Sequence, residues 1–151
     1  MVLGQLGEKR LPIQSERGFE YWAYWQGRSC RHGPNKRLVS NIALARRNKA
    51  GKETRVAISV KRNKGGRHYL TVHLSGKDYY LSRIAAWCFS NPLNISWDVF
   101  NGGGKRDWQA GHLSLVETDC RVQNLRVMTR KQNLDMYKEE AWVKYKTVFR
   151  G

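Results

Sequence analysis

Three side chains in the last third of the chain, His112, Asn124 and Asn133, stand 12 and then 9 positions apart within the segment WQAGHLSLVETDCRVQNLRVMTRKQNLDM. Together they outline a hydrolytic site. A neutral imidazole with a pKa near the working pH can take a proton from water. A hard divalent cation prefers oxygen ligands and keeps several of its waters, so one or two amide or carboxylate oxygens are enough to hold it. Asn133 offers one such oxygen. Taken singly, each residue has an ordinary reading as a surface His, a turn Asn or a solvated helix Asn. Their order is what points to chemistry.

Two local signals say how such residues would be held. Thr129 followed three residues later by Gln132 is a capping-box pattern, which predicts a helix start and puts Asn133 in about its first turn. Just before it, Asn124-Leu125-Arg126-Val127-Met128 alternates polar and apolar at the two-residue period of a half-buried strand. His112 is expected on a loop across from that strand.

Gly111-His112, Asn124-Leu125 and Thr129-Arg130-Lys131-Gln132-Asn133 resemble the pattern of small phage HNH endonucleases: a His, then Asn-Leu before a short strand, then Thr-x-x-x-Asn opening a helix. Upstream, Tyr79-Tyr80-Leu81-Ser82-Arg83-Ile84-Ala85-Ala86-Trp87-Cys88-Phe89 looks like the helix that precedes the motif in that family. The resemblance spans roughly residues 68 to 137. It implies a ββα-metal motif that hydrolyses phosphodiesters in duplex DNA, as in free-standing homing endonucleases. By the same resemblance His112 is the general base, Asn124 braces the loop that carries it, and Asn133 is a ligand of Mg2+ or Mn2+. Many members carry an acidic residue directly before the His, where this chain has Gly111. Asp107, Asp119 and Asp135 are the candidate replacements, and Asp135 joins Asn133 in the expected metal set. Ser82 stands where the family often has His.

Charge indicates the substrate. The chain carries 28 Lys and Arg against 12 Asp and Glu, a formal net of +16, which favours a polyanion through steering and counterion release. Thirteen of the basic residues lie between Arg28 and Arg67, with Glu53 the single acid among them. Such density repels itself without an anionic partner. Within it, Arg55–Lys61 and His68–Leu74 are alternating, β-branched runs joined by Arg62-Asn63-Lys64-Gly65-Gly66-Arg67, which predicts a hairpin. Tyr79-Tyr80 reads as a third short strand, and a helix follows from about Ser82 to Ser90. A two-stranded ribbon fits the DNA major groove. Lys61, Arg62, Lys64 and Arg67 are therefore expected on DNA, joined by Lys105 and Arg106 of a Gly-rich loop and by Arg126, Arg130 and Lys131 beside the motif. The aromatic run Phe19–Trp25 reads as a buried edge strand, and Trp142–Arg150 as an amphipathic C-terminal segment.

At 151 residues and 40% hydrophobic, the chain can build a modest core. Cys30, Cys88 and Cys120 are odd in number and far apart, so they do not form a disulfide framework. With no long apolar stretch and no signal-peptide pattern, a soluble protein without membrane partners is expected, in the bacterial host cytoplasm if phage-encoded. The expected fold class is α+β. A basic three-stranded sheet with a helix would precede the ββα-metal type motif; residues 1–80 would form a basic β-rich DNA-binding region, and residues 81–151 an HNH nuclease region with a C-terminal helix and tail. The alternative is a catalytically degenerate, HNH-derived DNA-binding protein; a more distant one is an RNA-binding module that uses the hairpin aromatics.

Overall fold

Alternating and β-branched runs dominate the first half of the chain, and they pair into two antiparallel sheets. The computed structural model describes residues 5–15, 17–102 and 107–149, with side chains through position 139. The first sheet contains β1 (Gln5–Leu11), β2 (Glu20–His32), β3 (Leu38–Arg47) and β4 (Glu53–Val56), in that order. The second is a meander of β5 (Ile58–Arg62), β6 (His68–Leu74) and β7 (Lys77–Tyr80). Helix α1 (Leu81–Phe89) follows directly, then the single turn α2 (Trp97–Phe100). The last part is β8 (Trp108–His112), the two-residue β9 (Asp119–Cys120), β10 (Leu125–Thr129) and the long helix α3 (Arg130–Phe149). The class is mixed α+β, as expected.

The predicted three-stranded sheet backed by a helix is present as β5–β7 with α1. Its hairpin turn is closed by Asn63, whose amide donates to the Arg67 carbonyl and whose side-chain oxygen accepts from the Arg67 amide, at 2.9 and 3.0 Å. Gly66 sits in the turn at φ +83°, a conformation that L side chains rarely adopt. The expected strand over residues 55–61 is not one strand. It breaks at Ala57, with Val56 paired to Leu44 of the first sheet and Ile58 to Val72 of the second. Both Val56 and Ile58 pack on the core, so the alternation continues through a change of partner that the pattern does not reveal. The expected edge strand over Phe19–Trp25 is also corrected. It belongs to β2, which is flanked on both sides because β1, interrupted by Gly7 and three charged residues, pairs along it. Tyr21 and Ala23 face inward, and the opposite face exposes Trp22 to stacking by Arg47 at 4.2 Å.

One core serves all these elements. Leu44, Val72, Ile84, Phe100, Leu125 and Val127 belong to a single buried cluster that runs across the join between β7 and α1. Each such side chain contributes roughly 1.5–3 kcal/mol by leaving water. Among the described residues no helix is long and apolar enough to cross a membrane. The C-terminal segment from Trp142 continues α3, and its side chains lie outside the described residues.

The segment between β8 and β10 is fastened to the first sheet. β9 pairs in parallel with β3, matching Val39 to Asp119 and Ser40 to Cys120. Beside this pairing, buried Asn41 accepts from the Val122 amide at 2.9 Å and donates to the Gln123 side chain at 2.7 Å. Replacing Asn41 by Ala strands the Val122 N–H in a dry site, which costs about 1–3 kcal/mol. Urea denaturation should show that loss. An unchanged midpoint would mean that water takes the place of the amide.

Candidate functional site

The elements predicted around the three residues form a ββα unit. β8 pairs antiparallel with β10, Trp108 opposite Thr129 and His112 opposite Leu125. Helix α3 begins at the next residue without a loop. The capping box is present in both directions: the Thr129 amide donates to Gln132 Oε1 at 2.9 Å, and the Gln132 amide donates to Thr129 Oγ1 at 3.1 Å. Asn133 is thereby fixed at the end of the first helical turn. Its Nδ2 donates to Gln109 Oε1 of β8 at 2.7 Å. Its Oδ1 is buried and has no hydrogen-bond partner among the described residues. Leaving a buried amide oxygen unmatched is costly.

Asn124 holds the loop that follows His112. Its Oδ1 accepts from the Ser114 amide and its Nδ2 donates to the Asp119 carbonyl, each at 2.9 Å. Its own carbonyl accepts from the Leu113 amide at 2.7 Å. The side chain is buried, so these bonds replace water for both ends of the loop.

His112 ends β8, rather than lying in a loop, and faces a cleft of about 1040 Å3. The cleft is also lined by Asn133, Glu117, Cys120, Ser82 and Arg67. Burial pulls the His112 pKa below its ordinary 6.5, against the opposing pull of Glu117 and Asp119. Cys120 Sγ lies 4.0 Å from His112 Nε2. Burial pushes that thiol up to about 12, which keeps it neutral beside the imidazole.

A hard divalent cation is the group the motif implies, and the residues present fit it. Asn133, whose side-chain oxygen is buried and unmatched, and Glu117 line the same cleft, and Mg2+ needs only one or two oxygen ligands. Among the described residues no three His, Cys, Asp or Glu side chains form a metal group, so a cation here would keep most of its waters. Sequence reasoning passed over Glu117. Nothing in the local sequence marks it, because it reaches the cleft through a turn. Its carboxylate accepts from Arg67 at 3.0 Å and from Tyr137, one helical turn beyond Asn133, at 3.5 Å.

The other expected residues are placed as follows. Asp135 is exposed on α3 and Asp107 is exposed before β8, and neither lines the cleft. Asp119 is held by both oxygens on Arg121, at 2.8 Å each. A Cβ at Gly111 would overlap Met128 Sδ and Cε and lie 3.1 Å from its Cγ, so an acidic residue there requires buried Met128 to move. Of the hairpin cations, Arg67 lines the cleft, whereas Lys61 is paired with Asp78 and Arg62 and Lys64 lie outside it. Arg126, Arg130 and Lys131 are exposed around the unit but do not line the cleft. Lys105 and Arg106 lie outside the described residues. Arg37, not singled out in the sequence, lines the cleft beside Arg67. No family model matches the chain, and comparison with curated proteins and with solved structures likewise finds no match.

An imidazole titrating below 6.5 is neutral at pH 7 and able to accept a proton. NMR titration of the His112 ring should give a midpoint under 6.5. Glu117→Gln should lower it further, because the substitution removes a negative charge that favours the imidazolium. A midpoint that rises in this variant would exclude the electrostatic coupling.

Proposed function

We propose that this chain is a metal-dependent endonuclease of the HNH type that hydrolyses phosphodiester bonds in duplex DNA. The observation that carries the reading is that His112 and Asn133, the latter with a buried and unmatched side-chain oxygen, line a single cleft on one ββα frame. His112, kept neutral by burial, takes the proton of the attacking water. Asn124 keeps His112 in place through the two ends of the loop that follows it. Asn133, with Glu117 beside it, would hold Mg2+ or Mn2+; when bound, the cation supplies positive charge for the scissile phosphate and the departing oxygen. Arg37 and Arg67 at the cleft position the backbone. The exposed cations Arg62, Lys64, Arg126, Arg130 and Lys131 extend that surface along the duplex, joined in sequence by Lys105 and Arg106.

Gly111, with its Cβ position filled by Met128, favours a second reading, in which the chain binds duplex DNA without cutting it. Incubating plasmid with the protein, with Mg2+ and with EDTA, separates the two. Nicking or linearisation that needs Mg2+ supports the nuclease. Duplex binding without cleavage at any divalent concentration supports the second reading.

His112→Ala should lower the cleavage rate by roughly 10²–10⁴-fold and leave duplex affinity within about twofold, since a general base adds little to backbone binding. Asn133→Ala should raise the Mg2+ concentration at half-maximal rate. Cleavage by His112→Ala near the wild-type rate would remove the imidazole from its role.

A further inference from the structure

A second cleft lies away from the ββα unit. At Ala57 the chain passes from β4 in the first sheet to β5 in the second, and the sheets diverge around a cavity of about 650 Å3. It shares no lining residue with the His112 cleft. Strand β6 touches both, with Leu70 at one and His73 at the other, so their nearest lining residues are separated by roughly 10 Å along that strand.

Among the described residues the lining is cationic and includes no acid. Arg17, Arg46 and Arg55 all contribute to it, and among the described residues none of the three is paired with a carboxylate. Elsewhere the protein does pair its arginines, at Arg10, Arg47, Arg67 and Arg121. The cleft histidine, His73, is already engaged by Asp78 at 2.7 Å. Three guanidinium groups around one cavity repel one another until an anion enters. The Arg46 guanidinium also lies over the Phe19 ring, 4.8 Å from its centroid, and both line the cavity.

Planar guanidinium groups hold phosphate through paired hydrogen bonds. An arginine laid on an aromatic ring is a surface on which a base stacks. The volume falls in the range of small-molecule sites. From this convergence we infer that the cleft is a nucleotide site: Arg17, Arg46 and Arg55 bind the phosphate, and the Phe19–Arg46 shelf receives the base. The ligand is either a free mononucleotide or the phosphorylated end of a nucleic acid strand. The site stands independently of the proposed nuclease cleft.

Calorimetric titration of the full chain with 5′-AMP, with adenosine, with inorganic phosphate and with a 5′-phosphorylated tetranucleotide, at fixed salt, tests the assignment. The expected result is saturable binding of a phosphorylated ligand that is tighter than that of adenosine or phosphate alone. Arg46→Gln with Arg55→Gln should weaken it at least about tenfold, the scale of one charge-assisted contact. Arg28→Gln with Lys138→Gln, an equal loss of charge at exposed positions outside both clefts, should change it less than about twofold. Phe19→Ala should bring AMP down to the affinity of phosphate. Competition between AMP and the tetranucleotide identifies a strand end as a ligand, and binding of AMP alone identifies the free nucleotide. The inference is overturned if both charge-removing pairs weaken binding equally, if neither phosphorylated ligand saturates, or if Phe19→Ala leaves AMP and phosphate as far apart as in the wild type.

Discussion

Two buried amides, Asn41 and Asn124, hold the part of the chain on which the proposed site depends. The segment from Leu113 to Gln123 must leave one strand of the ββα unit and return to the other. On the way it passes against the first sheet, where its backbone polar groups lose water. Unmatched groups there cost more than matched ones gain. Asn124 matches the segment from within, at Ser114 and Asp119, and Asn41 matches it from the sheet, at Val122. An amide side chain offers a donor and an acceptor a short distance apart, so each Asn joins two points of the chain. The parallel pairing of β9 with β3 then ties the same segment to a strand packed on both sides. The large sheet therefore has a structural part in the proposed site. It is the rigid body on which the His112 strand and its loop are mounted.

Electrostatics in the cleft is a balance and not a single bias. Burial favours neutral His112, and the carboxylates of Glu117 and Asp119 oppose it. Both carboxylates are partly discharged by arginines, Glu117 by Arg67 and Asp119 by Arg121. The Glu117 pair is solvent-exposed on both sides, and such pairs contribute little stability. It is thus easily exchanged. A phosphate that drew Arg67 away would free Glu117 in the cleft that Asn133 also lines, so on the proposed reading a backbone phosphate would compete for the contact that quietens the cleft.

What the sequence made legible was short-range. The capping box at Thr129 and Gln132, the alternation through Val127 and the Asn63–Gly66 turn depend on neighbours within a few residues, and the structure has all of them. The order of His112, Asn124 and Asn133 was readable because a hairpin and a capped helix convert spacing directly into proximity. Hidden features depend on distant partners. Ala57 changes sheets while keeping its neighbours' alternation. The two-residue strand at Asp119 has no pattern of its own. β1 pairs along β2 in spite of charged residues, because only one of its faces meets the core. Glu117 enters the cleft through a turn, so its distance along the chain from Asn133 gave no warning.

Gly111 shows how packing and chemistry constrain each other at this position. It faces Arg126 across the hairpin, and the volume that its Cβ would take is filled by Met128 from the same strand as Arg126. Met128 is buried, so withdrawing it opens a void in a well-packed region and costs stability as other large-to-small changes do. If the chain is the HNH enzyme proposed above, core packing has claimed the place where many such enzymes carry a carboxylate. A site with fewer direct ligands suits a cation that keeps its own waters, and then the orientation of the remaining ligand matters more. Asn133 meets that demand: the capping box fixes its place on the helix, and the bond to Gln109 fixes which side of its amide faces the strand. On the proposed reading, the precision that a carboxylate would give comes instead from the hydrogen bonds that hold a single amide side chain.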